Sequence, residues 1–121
     1  MDTVTYPDPS TVEFVNRFMI PFRANTQAFA NLAGNYGIQY TPTVLTVDGE
    51  GKEHHRTVGF MEPKEFIPSL MFGVAKANFG NSLGKRAIAM LDVLLLEYPR
   101  SGIAAEATKL KQEWVKLGVG K

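Results

Sequence analysis

Apolar and polar positions change period several times along the chain, and each change predicts an element. Behind Asp8-Pro9, Val12, Val15 and Phe18, with Phe14 beside them, recur at the spacing of a helix face. Asp8 suits the cap because its carboxylate accepts from first-turn amides, and Pro9 suits the first helical position. "MIPFRAN", Met19 to Asn25, reads as a short strand in which Pro21 demands an edge or a position needing no donor. Asn25-Thr26 predicts the cap of a second helix running to about Tyr36, with Gly37 in the left-handed position that ends it. "TPTVLTVD", Thr41 to Asp48, is β-branched and apolar, the pattern of a buried strand. "DGEG" predicts a turn with positive φ at Gly49 and Gly51, and "KEHHRTVG" the returning strand. Residues 42–59 are thus expected to form an antiparallel hairpin.

Glu62-Pro63 predicts a third helix through roughly Asn78, with Pro68 kinking it or displacing its start. Asn78 to Gly84, "NFGNSLG", has the glycine and asparagine density of a linker. Two further helices, roughly Lys85 to Tyr98 and Gly102 to Leu117, flank a tight break at "EYPRSG". The organisation predicted is one α/β unit over 1–78 (α-β-α-β-β-α) and a linker with an α-helical hairpin over 79–121.

Composition narrows the chemistry. The 121 residues are 45% hydrophobic and 21% charged, a globular balance for one domain of ordinary size. Thirteen basic against twelve acidic side chains leave a net charge of +1, which gives no electrostatic reason to expect nucleic acid or an acidic membrane as partner. There is no cysteine, hence no thiolate nucleophile, disulfide or thiolate metal site among these residues. The opening "MDTVTYPDPS" lacks the apolar run of a signal peptide, and the longest apolar runs, such as "VLLL" at Val93 to Leu96, fall far short of a membrane span. The sequence as written is therefore expected to be cytoplasmic.

Residues 1 to about 72 resemble a thioredoxin-superfamily chain. Met1, Asp2, Thr5, Tyr6, Asp8, Pro9, Val12, Phe14 and Asn16 follow in order the pattern that lies behind a Cys-x-x-Cys motif in a bacterial branch of that family. The match continues through "YGIQYTPTVLTVDGEGK" and "HRTVGFMEPKEF". The resemblance implies a cis-proline loop at Thr41-Pro42 and a peptide groove formed by Tyr40, Thr41, Pro42, Gly59 and Phe60. It implies thiol–disulfide exchange as the family activity, with a protein or peptide substrate in that groove. It also implies a strand and a Cys-x-x-Cys turn ahead of the position that Met1 matches, and here the chain departs from the pattern. Truncation at an internal Met codon is one reading. A natural, redox-inactive binding module using the groove and the helical hairpin is the other. In either case the fold expected is an incomplete thioredoxin-like one whose central strand is missing. Its strands at 19–25 and 43–48 would then close up in parallel or invite self-association. Residues 85–117 resemble a tetratricopeptide-type hairpin through Ala87, Leu91, Leu94 and Pro99, with an ordinary amphipathic hairpin as the alternative.

Other chemistry is poorly supported. His54 and His55, as strand neighbours, are expected on opposite faces, which argues against a shared metal ion. Asp48, Glu50 and Glu53 lack the spacing of a calcium loop and read as turn polarity. Neither "GNYGIQ" nor "FGNSLGKR" fits a phosphate loop, and no serine lies in a nucleophile motif. Trp114 reads as helix packing. No cofactor and no metal is predicted.

Overall fold

A computed structural model describes residues 1–25, 27–40 and 42–119. The elements run α1 (Pro9–Phe18), α2 (Ala30–Asn35), β1 (Thr43–Val47), β2 (Glu53–Val58), α3 (Pro63–Gly80), α4 (Gly84–Glu97) and α5 (Ala104–Lys116). This is a mixed α/β arrangement of five helices and a two-stranded sheet.

Local chemistry sets most of the boundaries. The Asp8 carboxylate accepts from the Thr11 amide at 3.1 Å, and Pro9 opens α1 where no donor is required. Gly37, at φ +63°, ends α2 as the sequence predicts, with the Ile38 amide reaching back to the Ala33 carbonyl at 2.9 Å. That helix is shorter than predicted. Asn25 Oδ1 does accept from the Gln27 and Ala28 amides, but regular helix begins only at Ala30. Thr26, the other half of the predicted cap, lies outside the described residues.

β1 and β2 form the predicted antiparallel hairpin, from Thr43↔Val58 to Thr46↔His55, with Val47 paired to Glu53. At the tip, Asp48 and Lys52 face each other and Gly51 takes φ +84°, the pattern of a three-residue loop closed by a left-handed glycine. Gly49 does not adopt the positive φ expected of it. The Asp48 carboxylate shapes that side of the loop instead, accepting from the Glu50 and Lys52 amides at 2.9 and 3.0 Å.

The predicted strand at 19–25 is absent: the segment is irregular and lies outside the sheet. A strand exists through its ladder, and no described residue offers this segment a partner, while Pro21 removes one of its donors. Ile20 and Phe22 are left 96% and 73% exposed. The predicted parallel closure of 19–25 against 43–48 therefore does not occur.

α3 is the centre of the molecule. Every residue from Phe66 to Ala75 is buried. The helix packs against both strands, α1 and, most extensively, α4. Pro68 neither breaks it nor displaces its start. One turn in from Pro63, its missing N–H costs only a bond to the Lys64 carbonyl on an exposed residue. The segment expected as a linker is a tight turn. α3 continues to Gly80, Ser82 turns back at φ +63°, and the Leu83 amide donates to the Asn78 carbonyl at 2.8 Å before α4 begins. α4 then buries Ala87, Met90, Leu91 and Leu94 as one stripe, and α5 buries Ala104, Ala107 and Trp114. Trp114 stacks on Phe79 at 4.6 Å and 8°, tying α5 to the end of α3.

Glycine lets the sheet sit on α3. A Cβ at Gly73 would lie 2.5 Å from Thr46 Oγ1 and 3.0 Å from Thr46 Cβ, and one at Gly80 would lie 2.6 Å from His54 Cε1. The two glycines are about two helical turns apart and present backbone to the hairpin.

Candidate functional site

The open end of the hairpin gathers the residues singled out in the sequence. The Gly59 amide donates to the Pro42 carbonyl at 2.8 Å, extending the ladder one step past Thr43↔Val58. Gly59 takes φ +90°, a conformation in which a side chain would be strained. This turns the chain out of β2 toward Phe60 and the start of α3. On the other strand the Thr43 hydroxyl donates to the Tyr40 carbonyl, holding Tyr40 at the same end. Tyr40 and Phe60 are 68% and 56% exposed. Thr41, and with it the Thr41–Pro42 peptide, lies outside the described residues.

The two faces of the hairpin differ in what they carry. On the face away from α3, Arg56 donates to the Glu53 carboxylate through Nε (2.8 Å) and one terminal nitrogen (2.6 Å). It also donates to the Tyr36 carbonyl. The Arg56 hydrogen bond holds the Glu53 carboxyl below its usual pKa, and Glu53 raises that of Arg56 in turn. The Tyr36 hydroxyl donates to the Gly51 carbonyl, so α2 is fastened over this face at two points. Sequence reading missed Arg56. Only the alternation along β2, which puts Arg56 opposite His55, hints that its charge is spent within the fold.

The histidines depart from the expectation of opposite faces. The register shift between Thr46 and Val47 leaves His54 as an extra residue on β2, so both rings turn toward α3. His54 Nε2 donates to Asp48 Oδ2 at 2.8 Å, where both side chains are largely buried beside Gly80. That bond, followed by the Lys52 amide, holds the Asp48 carboxyl below its usual value. His55 Nε2 lies 3.0 Å from Ser69 Oγ, and its ring meets Phe72 edge-on at 5.2 Å. Burial, and then the nearby Lys76 charge, push the His55 pKa below the usual 6.5. Among the described residues no group of three or more His, Cys, Asp or Glu is placed to hold a metal ion. No helix among them is long and apolar enough to cross a membrane.

α1, a hairpin whose open end is closed by the Gly59–Pro42 hydrogen bond, and a long helix behind it define a mixed α/β domain. A family model of the thioredoxin-like domain matches residues 5–73, and the chain belongs to that family. The match takes in α1, α2, both strands and the first half of α3. No curated protein and no solved structure matches the chain.

Proposed function

We propose that residues 5–73 act as the substrate-holding side of a thioredoxin-like domain. They take an extended protein or peptide segment at Tyr40, Thr41, Pro42, Gly59 and Phe60. The observation that carries this reading is the Gly59–Pro42 hydrogen bond, which fixes two backbone positions side by side between two exposed aromatic residues. Family membership supplies the context, thiol–disulfide exchange. That reaction needs a thiolate to attack a substrate disulfide, and none of these 121 residues is a cysteine. The activity assigned to them is binding.

The reading carries a cis Thr41–Pro42 peptide, which the carbon shifts of the Pro42 ring report directly. It also carries a role for α4 and α5 as a tetratricopeptide-like contact surface. The test is a titration of the ¹⁵N-labelled chain with cysteine-free extended peptides. Amide shifts should cluster at Thr43–Val47, Gly59 and Phe60, and Pro42→Ala should weaken them. Shifts scattered over the surface, or none, refute the groove. In an insulin-reduction assay with dithiothreitol the chain should not exceed the reagent blank. The DNA ahead of the Met1 codon tells whether an in-frame Cys-x-x-Cys gives this binding a redox step to serve.

A further inference from the structure

The open side of β1 and the segment Met19 to Asn25 each lack what the other carries. The Gly59–Pro42 bond fixes the phase of the ladder. Bonded pairs fall at Pro42, Val44 and Thr46, so Thr43 and Leu45 turn their amides and carbonyls away from β2. Among the described residues no strand receives them there. Leu45 is paired with Arg56, so its side chain shares the face away from α3, and it stays only half-buried. α2 is fastened over that face through Tyr36 but buries none of its own residues, and Phe29 and Leu32 are left exposed. Met19 to Asn25 has the sequence that such an edge accepts. In a strand, residues two apart send their backbone groups to the same edge. Ile20, Phe22 and Ala24 form one set with every amide present, and Pro21, which has no amide, falls in the other. The segment's own chain does not bring the two together. Arg23 donates to Asp2 and lies 5.8 Å from the centre of the Tyr6 ring, which itself packs on Phe66. That anchor holds the segment at the N-terminal turn and belongs to the set with Pro21, so it leaves Ile20, Phe22 and Ala24 free to pair.

We infer that two copies of the chain exchange this segment, each adding its Met19 to Asn25 as an antiparallel third strand on the β1 edge of the other. Antiparallel pairing puts directly opposed residues on one face, so Ile20 and Phe22 join Leu45 beneath α2. Parallel pairing would turn them toward α3, whose residues Phe66 to Ala75 are already buried. Reciprocal exchange leaves neither β1 edge open, whereas one-way addition would propagate from copy to copy. The exchange does not rest on peptide binding at Pro42 and Gly59.

Because the chain has no cysteine, Gln27→Cys provides a single site for a nitroxide label just beyond the segment, on an exposed residue. Labelled chain at natural isotope abundance is mixed with unlabelled ¹⁵N chain, so that only contacts between copies broaden the amide signals. Broadening should concentrate on Thr43 to Val47 and grow with concentration. It should be strongest toward Thr43, as the antiparallel direction requires. Ile20→Ser with Phe22→Ser in the labelled chain should reduce it to the level produced by free nitroxide. Both side chains are exposed, so the substituted chain keeps its fold. Broadening strongest at Val47, or centred on other exposed apolar side chains such as Leu96 or Leu117, would overturn the inference. So would broadening that survives the two substitutions, or none at millimolar concentration.

Discussion

Residues 19–40 and residues 43–117 obey the same local rules and reach different outcomes. In the second region each apolar stripe meets another. α3 is covered by the hairpin, α1 and α4, and α5 closes over α4 through Ala107 and Trp114. In the first region the capping asparagine, the left-handed glycine and the apolar residues are all present, yet α2 buries none of its residues and Ile20 and Phe22 face solvent. Its firm attachments are the Tyr36 hydroxyl and carbonyl, fastened to Gly51 and Arg56. Propensity and capping choose the conformation of a segment, but burial against a partner stabilises it, and only the second region has that partner.

The comparison is tested most severely by paired deletions. Leu91, on α4, is fully buried, and Leu91→Ala is expected to lose about 3–5 kcal/mol, a large share of the roughly 5–15 kcal/mol typical of a domain. Leu32→Ala, in the exposed helix, should cost no more than about 0.5 kcal/mol. Urea unfolding reads both. Similar losses would show that 19–40 shares the core.

Glycines sharpen the contrast because their two effects oppose each other. Alanine in a helix interior gains about 1 kcal/mol in propensity. At Gly34 a new Cβ meets no atom within 4 Å, so Gly34→Ala should stabilise α2 slightly. At Gly73 it meets Thr46 at 2.5 and 3.0 Å, and the overpacking cost of about 1–3 kcal/mol should win. Gly73→Ala should therefore lower the urea midpoint while Gly34→Ala leaves or raises it.

How much was legible beforehand follows the same division. The hairpin, α1, the starts of α3 and α4 and the burial of Trp114 were readable because caps, turn glycines and periodicity act locally. The strand at 19–25 was misplaced because strand formation is decided by a neighbour, which seven residues of sequence do not specify. The two histidines were assigned to opposite faces because a bulge, visible only in the pairing of Val47 with Glu53, shifts the alternation. The family motif singled out Pro42 and Gly59, and the ladder joins the two by a hydrogen bond. Asp48, read as turn polarity, proves to be the partner of His54 because the same bulge leaves that ring on the α3 side, beside the loop.

Acid should act on the packed region before it touches the other. His55 sits against α3 with its folded pKa below 6.5, so below that pH the unfolded chain takes up a proton that the folded chain resists. Stability is expected to fall as pH drops through this window and to level off below the folded pKa. Asp48 acts later and with the same sign. Its carboxyl is depressed when folded, and the stability it adds above the ordinary carboxylate value of 3.8 is lost on further acidification. His55→Gln, compared with the parent from pH 7.5 down to about 3, should flatten the first decline and leave the second. An unchanged first decline would assign it to another group.

The smallest expected effect concerns the exposed segment itself. Among the described residues β1 bonds to β2 alone, so its other edge presents unpaired backbone groups, and an open edge invites a strand from another chain. Met19 to Asn25, irregular and carrying the exposed Ile20 and Phe22, is a candidate for that strand. Ile20→Ser with Phe22→Ser should change the unfolding free energy of the dilute chain by no more than about 0.5 kcal/mol, because neither side chain is buried. The same substitutions should reduce the mass that light scattering detects as concentration rises. The two readouts separate the cases. A loss of stability at high dilution would mean that 19–25 packs within its own chain. A parent mass that stays monomeric at every concentration, with slow hydrogen exchange from Val44 to Val47, would mean that the β1 edge is protected without a second copy.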